Sequence, residues 1–197
     1  MKLFNRLKSL TVALVMTGGI ASLVGCGGDS DGPFTNLQGI YEVTGWNEND
    51  SSCEADGPSV LADKIEKFVL VKEGMFFTKF LTAVTCSSLE VCREDAVDDT
   101  IDLTGFLFES GSDSDGWVGR SASASGLGDD TCTGIYSQYT MTSPEPNVVQ
   151  IVAVTHEVTG VSEDSDGFCD TDEVMSRGPS EPCVSREVIR ASFVEGL

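Results

Sequence analysis

The chain has 197 residues, 40% of them hydrophobic and 22% charged, with 12 Lys or Arg against 32 Asp or Glu and a formal net charge of −20. That composition is globular rather than disordered. Its sign excludes nucleic acid as a partner, because phosphates repel so acidic a body.

Three bases, Lys2, Arg6 and Lys8, precede an apolar stretch over 10–23. Thr17, Gly18, Gly19 and Ser22 interrupt that stretch, and it is short for a membrane span. It ends in Leu23-Val24-Gly25-Cys26, which resembles a lipobox, so residues 1–25 resemble a bacterial lipoprotein signal peptide. The resemblance implies cleavage before Cys26, acyl chains such as palmitate on that cysteine, and attachment to a membrane through the N-terminal lipid. Gly27 rather than Asp after the acylated cysteine implies the outer membrane. An uncleaved anchor is the competing reading. Removing residues 1–25 takes away three bases and no acid, so the net charge moves from −20 to −23.

Residues 26–36 hold the lipidated cysteine and a polar tether, Gly27-Gly28-Asp29-Ser30-Asp31-Gly32-Pro33 and onward. The domain is expected over 37–197. There, β-branched and aromatic runs alternate with Gly, Pro, Asp and Asn clusters, which reads as eight strands. They are A at about 39–46, B at 64–72, C at 75–86, D at 100–108, E at 117–125, F at 131–142, G at 148–158 and H at 184–194. Lys72-Glu73-Gly74, Asp113-Ser114-Asp115-Gly116 and Ser143-Pro144-Glu145-Pro146-Asn147 are short connections, which favour antiparallel neighbours. A small helix is expected around Leu61–Lys67.

Strand C sets Phe76, Phe80 and Val84 on one side and Met75, Phe77, Leu81 and Ala83 on the other. Strand G sets Val152 and Val154 against Ile151 and Ala153. Strands apolar on both sides fit an all-β, eight-stranded antiparallel up-and-down β-barrel with a partly covered outer face. A two-sheet sandwich is the alternative.

Cys53, Cys86, Cys92, Cys132, Cys169 and Cys183 remain after Cys26 takes the lipid, and an even number in an exported chain reads as three disulfides. No Cys-x-x-Cys pair exists and His156 is the single histidine, which argues against zinc. In an up-and-down barrel all six fall at the end opposite the tether. Cys86 with Cys92 is the nearest pair in sequence; Cys169 with Cys183 and Cys53 with Cys132 are the expected partners for the rest. Loops 47–61, 87–100, 126–130 and 159–182 lie at that same end and carry −16 of the −23. An acidic mouth disfavours anionic ligands and favours neutral or cationic apolar ones.

Leu37-Gln38-Gly39-Ile40-Tyr41-Glu42-Val43 resembles the lipocalin opening Gly-x-Trp, with Tyr41 in the tryptophan's place. The strand count, the long A–B loop and the short B–C hairpin are similar to lipocalin and wider calycin barrels. No Thr-Asp-Tyr motif lies between F and G, and no helix is evident after H before Leu197. Arg190 is the candidate for the arginine that the resemblance places across the barrel base. The resemblance implies a non-enzymatic envelope lipoprotein that holds a small apolar ligand. A structural or interaction protein with a packed barrel, touching an envelope partner through its disulfide-tied acidic loops, is the alternative.

The row Ser162-Glu163-Asp164-Ser165-Asp166-Gly167-Phe168-Cys169-Asp170-Thr171-Asp172-Glu173 resembles a calcium loop, with Asp164, Asp166, Asp170 and Glu173 at oxygen-ligand positions. Asp-Ser-Asp-Gly also stands at 29–32 and 113–116, so turn chemistry alone accounts for the tetrapeptide and a solvated acidic loop competes with calcium. His156 lacks a nucleophile motif and reads as structural. Asp102 and Glu157 read as outward polar positions. Trp46, Trp117, Tyr136 and Tyr139 read as packing. No phosphate-binding glycine loop is present.

Overall fold

The computed structural model describes residues 37–50, 53–75, 79–98, 105–126, 132–164 and 166–197. The expected leader, Cys26 and the expected tether through residue 36 lie outside the described residues, as do Phe76, Phe77 and Asp102. Nine strands form one antiparallel sheet: β1 Gly39–Asn49, β2 Phe68–Met75, β3 Lys79–Cys86, β4 Phe106–Phe108, β5 Ser110–Ser112, β6 Gly116–Gly126, β7 Cys132–Glu145, β8 Val148–Val161 and β9 Cys183–Glu195. Helix α1 (Leu89–Val97) follows β3, and helix α2 (Thr171–Arg177) follows β8.

The order β4-β3-β2-β1-β9-β8-β7-β6-β5 makes almost every neighbour in space a neighbour in sequence, with β1 against β9 as the exception. The two ends of the sheet, β4 and β5, are halves of one strand interrupted at Glu109. The first half pairs with β3 and the second with β6, and Glu109 N–H donates to the Val118 carbonyl at 2.9 Å. The sheet therefore returns on itself as a nearly closed up-and-down barrel. A Cβ at Gly119 would lie 1.7 Å from the Leu107 carbonyl oxygen, so β4 lies against β6 only because position 119 has no side chain.

Alternation along the strands builds the core. Val69 and Val71 of β2, Leu81 and Ala83 of β3, Phe108, Trp117, Met141, Val149, Ile151, Ile189 and Ala191 fill the interior with Leu37, Tyr41, Val43 and Trp46. Each large member contributes on the order of 1.5–3 kcal/mol through burial. A bulge between Val43 and Gly45 shifts the alternation of β1 by one residue, so Trp46 rather than Gly45 joins the core. At the base, the Tyr41 hydroxyl donates to the Leu37 carbonyl at 2.8 Å and its ring meets Phe193 edge-on at 5.6 Å. Burial, with Asp113 adding to it, pushes the Tyr41 hydroxyl up to about 12.

Two helices cover the outer face. On α1, Cys92 packs on Ile40, Leu70 and Cys86, and the Ser88 hydroxyl caps the helix by accepting from Val91 N–H. On α2, Val174 packs on Cys132, Tyr136, Val158 and Val161, with Ala122 and Ala124 alongside. These covers account for the outward apolar residues Leu70 of β2, Cys86 of β3, Cys132 and Tyr136 of β7 and Val158 of β8.

Several expectations need correction. Leu61–Lys67 is no helix; a 3-10 turn spans Leu61–Asp63. Arg190 does not cross the base. It is exposed, and its Nε donates to Gln150 Oε1 at 2.9 Å. The disulfides are Cys86–Cys92, Cys53–Cys183 and Cys132–Cys169, with Cα separations of 5.5, 6.0 and 5.6 Å. Pairings of Cys53 with Cys132 and Cys169 with Cys183 are overturned by strand adjacency. The loop after β1 opens beside the first residue of β9, and β8, the neighbour of β7, leads into the loop that carries Cys169.

Candidate ligand site at the barrel mouth

Residues paired across a ladder share a face, so the inward rows can be followed strand by strand. One row is Trp117, Met141, Ile151, Ile189 and Trp46, all apolar. The next row toward the mouth is Gly119, Tyr139, Ala153, Glu187 and Glu48. The one after that is Ser121, Ser137, Thr155 and Ser185. The interior thus changes from hydrocarbon to hydroxyl and carboxyl over two residues of each strand.

A ring of partly buried side chains marks the change. Val60, Leu61, Phe106 and Tyr139 pack against the top of the core. Phe106 and Tyr139 meet edge-on at 5.2 Å, and the Tyr139 hydroxyl is hydrogen-bonded to that of Ser121. Val60 N–H donates to the Trp46 carbonyl at 2.8 Å, and Glu48 N–H to the Pro58 carbonyl at 3.2 Å. Residues 58–61 therefore run beside the upper part of β1 and lay Val60 and Leu61 over the core.

Trp46 is only 5% exposed, and its indole N–H donates to Glu187 Oε1 at 2.6 Å. Burial raises the Glu187 carboxyl above its ordinary range. Trp46 and Lys64 oppose that shift, and neighbouring Glu48 adds to it. The Lys64 ammonium sits 4.5 Å from the centroid of the Trp46 ring and is ion-paired with Glu48. Burial pulls Lys64 down, but Glu48, Glu187 and Glu66 outweigh it and leave the ammonium raised. Beyond this group, Ser137 and Thr155 share a hydrogen bond at 3.2 Å. Ser121, Ser123 and Ile135 are exposed although they face the barrel axis.

The expected calcium ligands do not converge. Asp164 Oδ1 accepts from Asp166 and Phe168 N–H, both at 2.9 Å, and so shapes its own turn. Asp170 Oδ1 caps α2, accepting from Asp172 N–H at 2.9 Å and Glu173 N–H at 3.1 Å. Glu173 accepts from Ser162 N–H at 2.9 Å and pairs with Arg177, and these contacts hold its carboxyl below the usual range. Among the described residues, no three acids, histidines or cysteines form a group that could hold a metal ion. His156 faces outward beside Tyr136 and donates from Nδ1 to the Glu181 carbonyl at 2.7 Å.

Fold and site together define the class: an antiparallel β-barrel with a filled base and a polar, cross-linked mouth. No protein-family model matches the chain, and neither does a curated protein or a solved structure.

Of this constellation, sequence reasoning singled out Trp46 and Tyr139 as packing and passed over Glu48, Lys64 and Glu187. The available signal was Glu187 in register with Ser185 and Ile189, an acid at an inward position of strand H. The β1 bulge, which turns Trp46 to meet it, left no comparable mark.

Proposed function

We propose that the chain is a non-enzymatic, lipid-anchored cell-envelope protein whose barrel receives a small apolar ligand, neutral or cationic, at its mouth. One observation carries the reading: inward-facing positions remain open to solvent above Trp46, Phe106 and Tyr139, while the described inward side chains below them are buried. A ligand there gains aromatic contact beneath it and hydrogen bonds from Ser121, Ser137 and Thr155 around it. Among the described residues the inward side chains of the base are buried, so the ligand lies at the rim rather than deep in the barrel. The lipocalin-like opening at Gly39-Ile40-Tyr41 supports the same reading. The anchor rests on Leu23–Cys26, and outer-membrane placement on Gly27.

Native mass spectrometry of the full chain, produced with its own leader and released from mild detergent, tests this reading. The expected species begins at Cys26, carries acyl chains, and retains a companion on the order of a few hundred daltons that leaves on activation. An unprocessed N-terminus removes the lipid and leaves the uncleaved anchor in its place. A chain that never holds a companion, even after extraction from its native membrane, moves the weight to the second reading, an interaction protein. Ile65 and Phe168, 76% and 71% exposed on loops at the mouth, favour that alternative.

A further inference from the structure

Lys64 already sits in the barrel mouth as a ligand would. Its ammonium lies over the face of Trp46, is ion-paired with Glu48, and feels the charge of Glu187, which holds the Trp46 indole. We propose that this is a seat for an organic cation, filled by the chain's own lysine, and that the ligand is an ammonium whose head displaces Lys64. The inference rests on the mouth being a ligand site and narrows the ligand to a cation.

Charge makes the selection. Exchanging one ammonium for another leaves the seat's charge unchanged. A neutral ligand in the same place would leave Glu48 and the partly buried Glu187 without a cation, which is costly. An anion would meet two carboxylates and the acidic loops around them. The tail is short and apolar, because the half-buried side chains at the top of the core are Val60, Leu61, Phe106 and Tyr139 and the described core residues below them are buried.

The plug is removable without unfolding. Lys64 ends the 3-10 turn, closed by a long 3.4 Å bond from its N–H to the Leu61 carbonyl, and the next residue, Ile65, is 76% exposed. A four-carbon stem lets the ammonium swing into water while the backbone of 58–61 stays paired with β1. Lys67 does not compete for the seat, since its ammonium donates to the Leu61 carbonyl at 2.8 Å.

The test compares benzylammonium with its neutral counterpart, benzyl alcohol. Both are titrated into the tryptophan-labelled full chain while the indole N–H resonances are followed by NMR. Trp46 is assigned through Trp46→Phe, and the Trp117 signal reports that the fold is intact. Benzylammonium is expected to shift the Trp46 signal, to bind about tenfold more tightly to Lys64→Met, and to bind about tenfold more weakly to Glu187→Gln. Wild type and Glu187→Gln alone decide the charge preference if Lys64→Met does not fold. Equal binding of alcohol and ammonium overturns the cation seat and leaves the ligand site standing. Binding of neither, to wild type or to Lys64→Met, overturns both.

Discussion

The base and the mouth of the barrel are built from the same strands, yet they are held together differently. At the base, Phe108, Trp117, Met141 and Ile151 interlock with the β2 and β3 valines and leucine, and packing supplies the stability. At the mouth, side chains on the same inward alternation are serine, threonine and glutamate, and two disulfides join ends of adjacent strands through the loops. A wall that is open to solvent is not stabilised by filling, and covalent ties take the place of a core there.

Breaking the ties should show this most strongly. Replacing both Cys53 and Cys183 by Ser opens a loop with a separation of 130 residues and should cost about 5 kcal/mol in urea unfolding. Replacing Cys86 and Cys92, only six apart, should cost about 2 kcal/mol. Phe108→Ala, a deletion in the base, should cost about 3–5 kcal/mol in the same measurement. Ser121→Ala, an equal depth of strand at the mouth, should stay within about 0.5 kcal/mol. If Ser121→Ala matches Phe108→Ala, the two-zone description fails.

Asp170→Ala sharpens the contrast between a metal loop and a helix cap. It should cost about 1 kcal/mol through loss of the α2 cap. The wild-type melting temperature should be the same with millimolar calcium as with chelator, and a calcium-dependent rise would restore the metal.

The smallest effect expected is that of Glu187→Gln. The folded state raises the Glu187 carboxyl, so the native protein holds its proton to higher pH than the unfolded chain does. Wild-type stability from this group is therefore full at low pH and falls as pH climbs through the raised value. Glu187→Gln should melt higher than wild type at pH 8, and the gap should close as pH drops through the carboxylate range. A gap that widens on acidification reverses the sign and removes the burial argument.

Seven of the eight strands could be read because period-two alternation is a local signal that the tertiary structure reinforced, but Lys72-Glu73-Gly74, expected as the turn from B to C, lies within β2 and pairs with Thr82, Leu81 and Phe80. Strand D resisted: its described portion starts only at Phe106, and its change of partner at Glu109 depends on Gly119 in another strand. Helix α2 was hidden in plain view, since Asp170-x-x-Glu173 is as good a capping sequence as it is a calcium row. Only the geometry of Asp170 Oδ1, aimed at two backbone N–H groups, separates the two. Even cysteine number predicted three cross-links, but partner choice needed the neighbour relation of β1 with β9, which no local pattern encodes. The mouth constellation was the least legible part, because Trp46, Lys64 and Glu187 come from a bulge, a turn and a distant strand.

The closing seam has a further effect, on timing. Trp46 and Glu187 lie 141 residues apart along the chain, and β9 must arrive before β1 and β8 have their second partners. A chain that emerges amino end first therefore carries two bare strand edges until nearly all of it is available to fold. Contacts of such long range form slowly, and the bare edges invite pairing with neighbouring molecules in the meantime. The speed of that closure, as well as the stability of the finished barrel, then governs how much of this protein reaches its folded form.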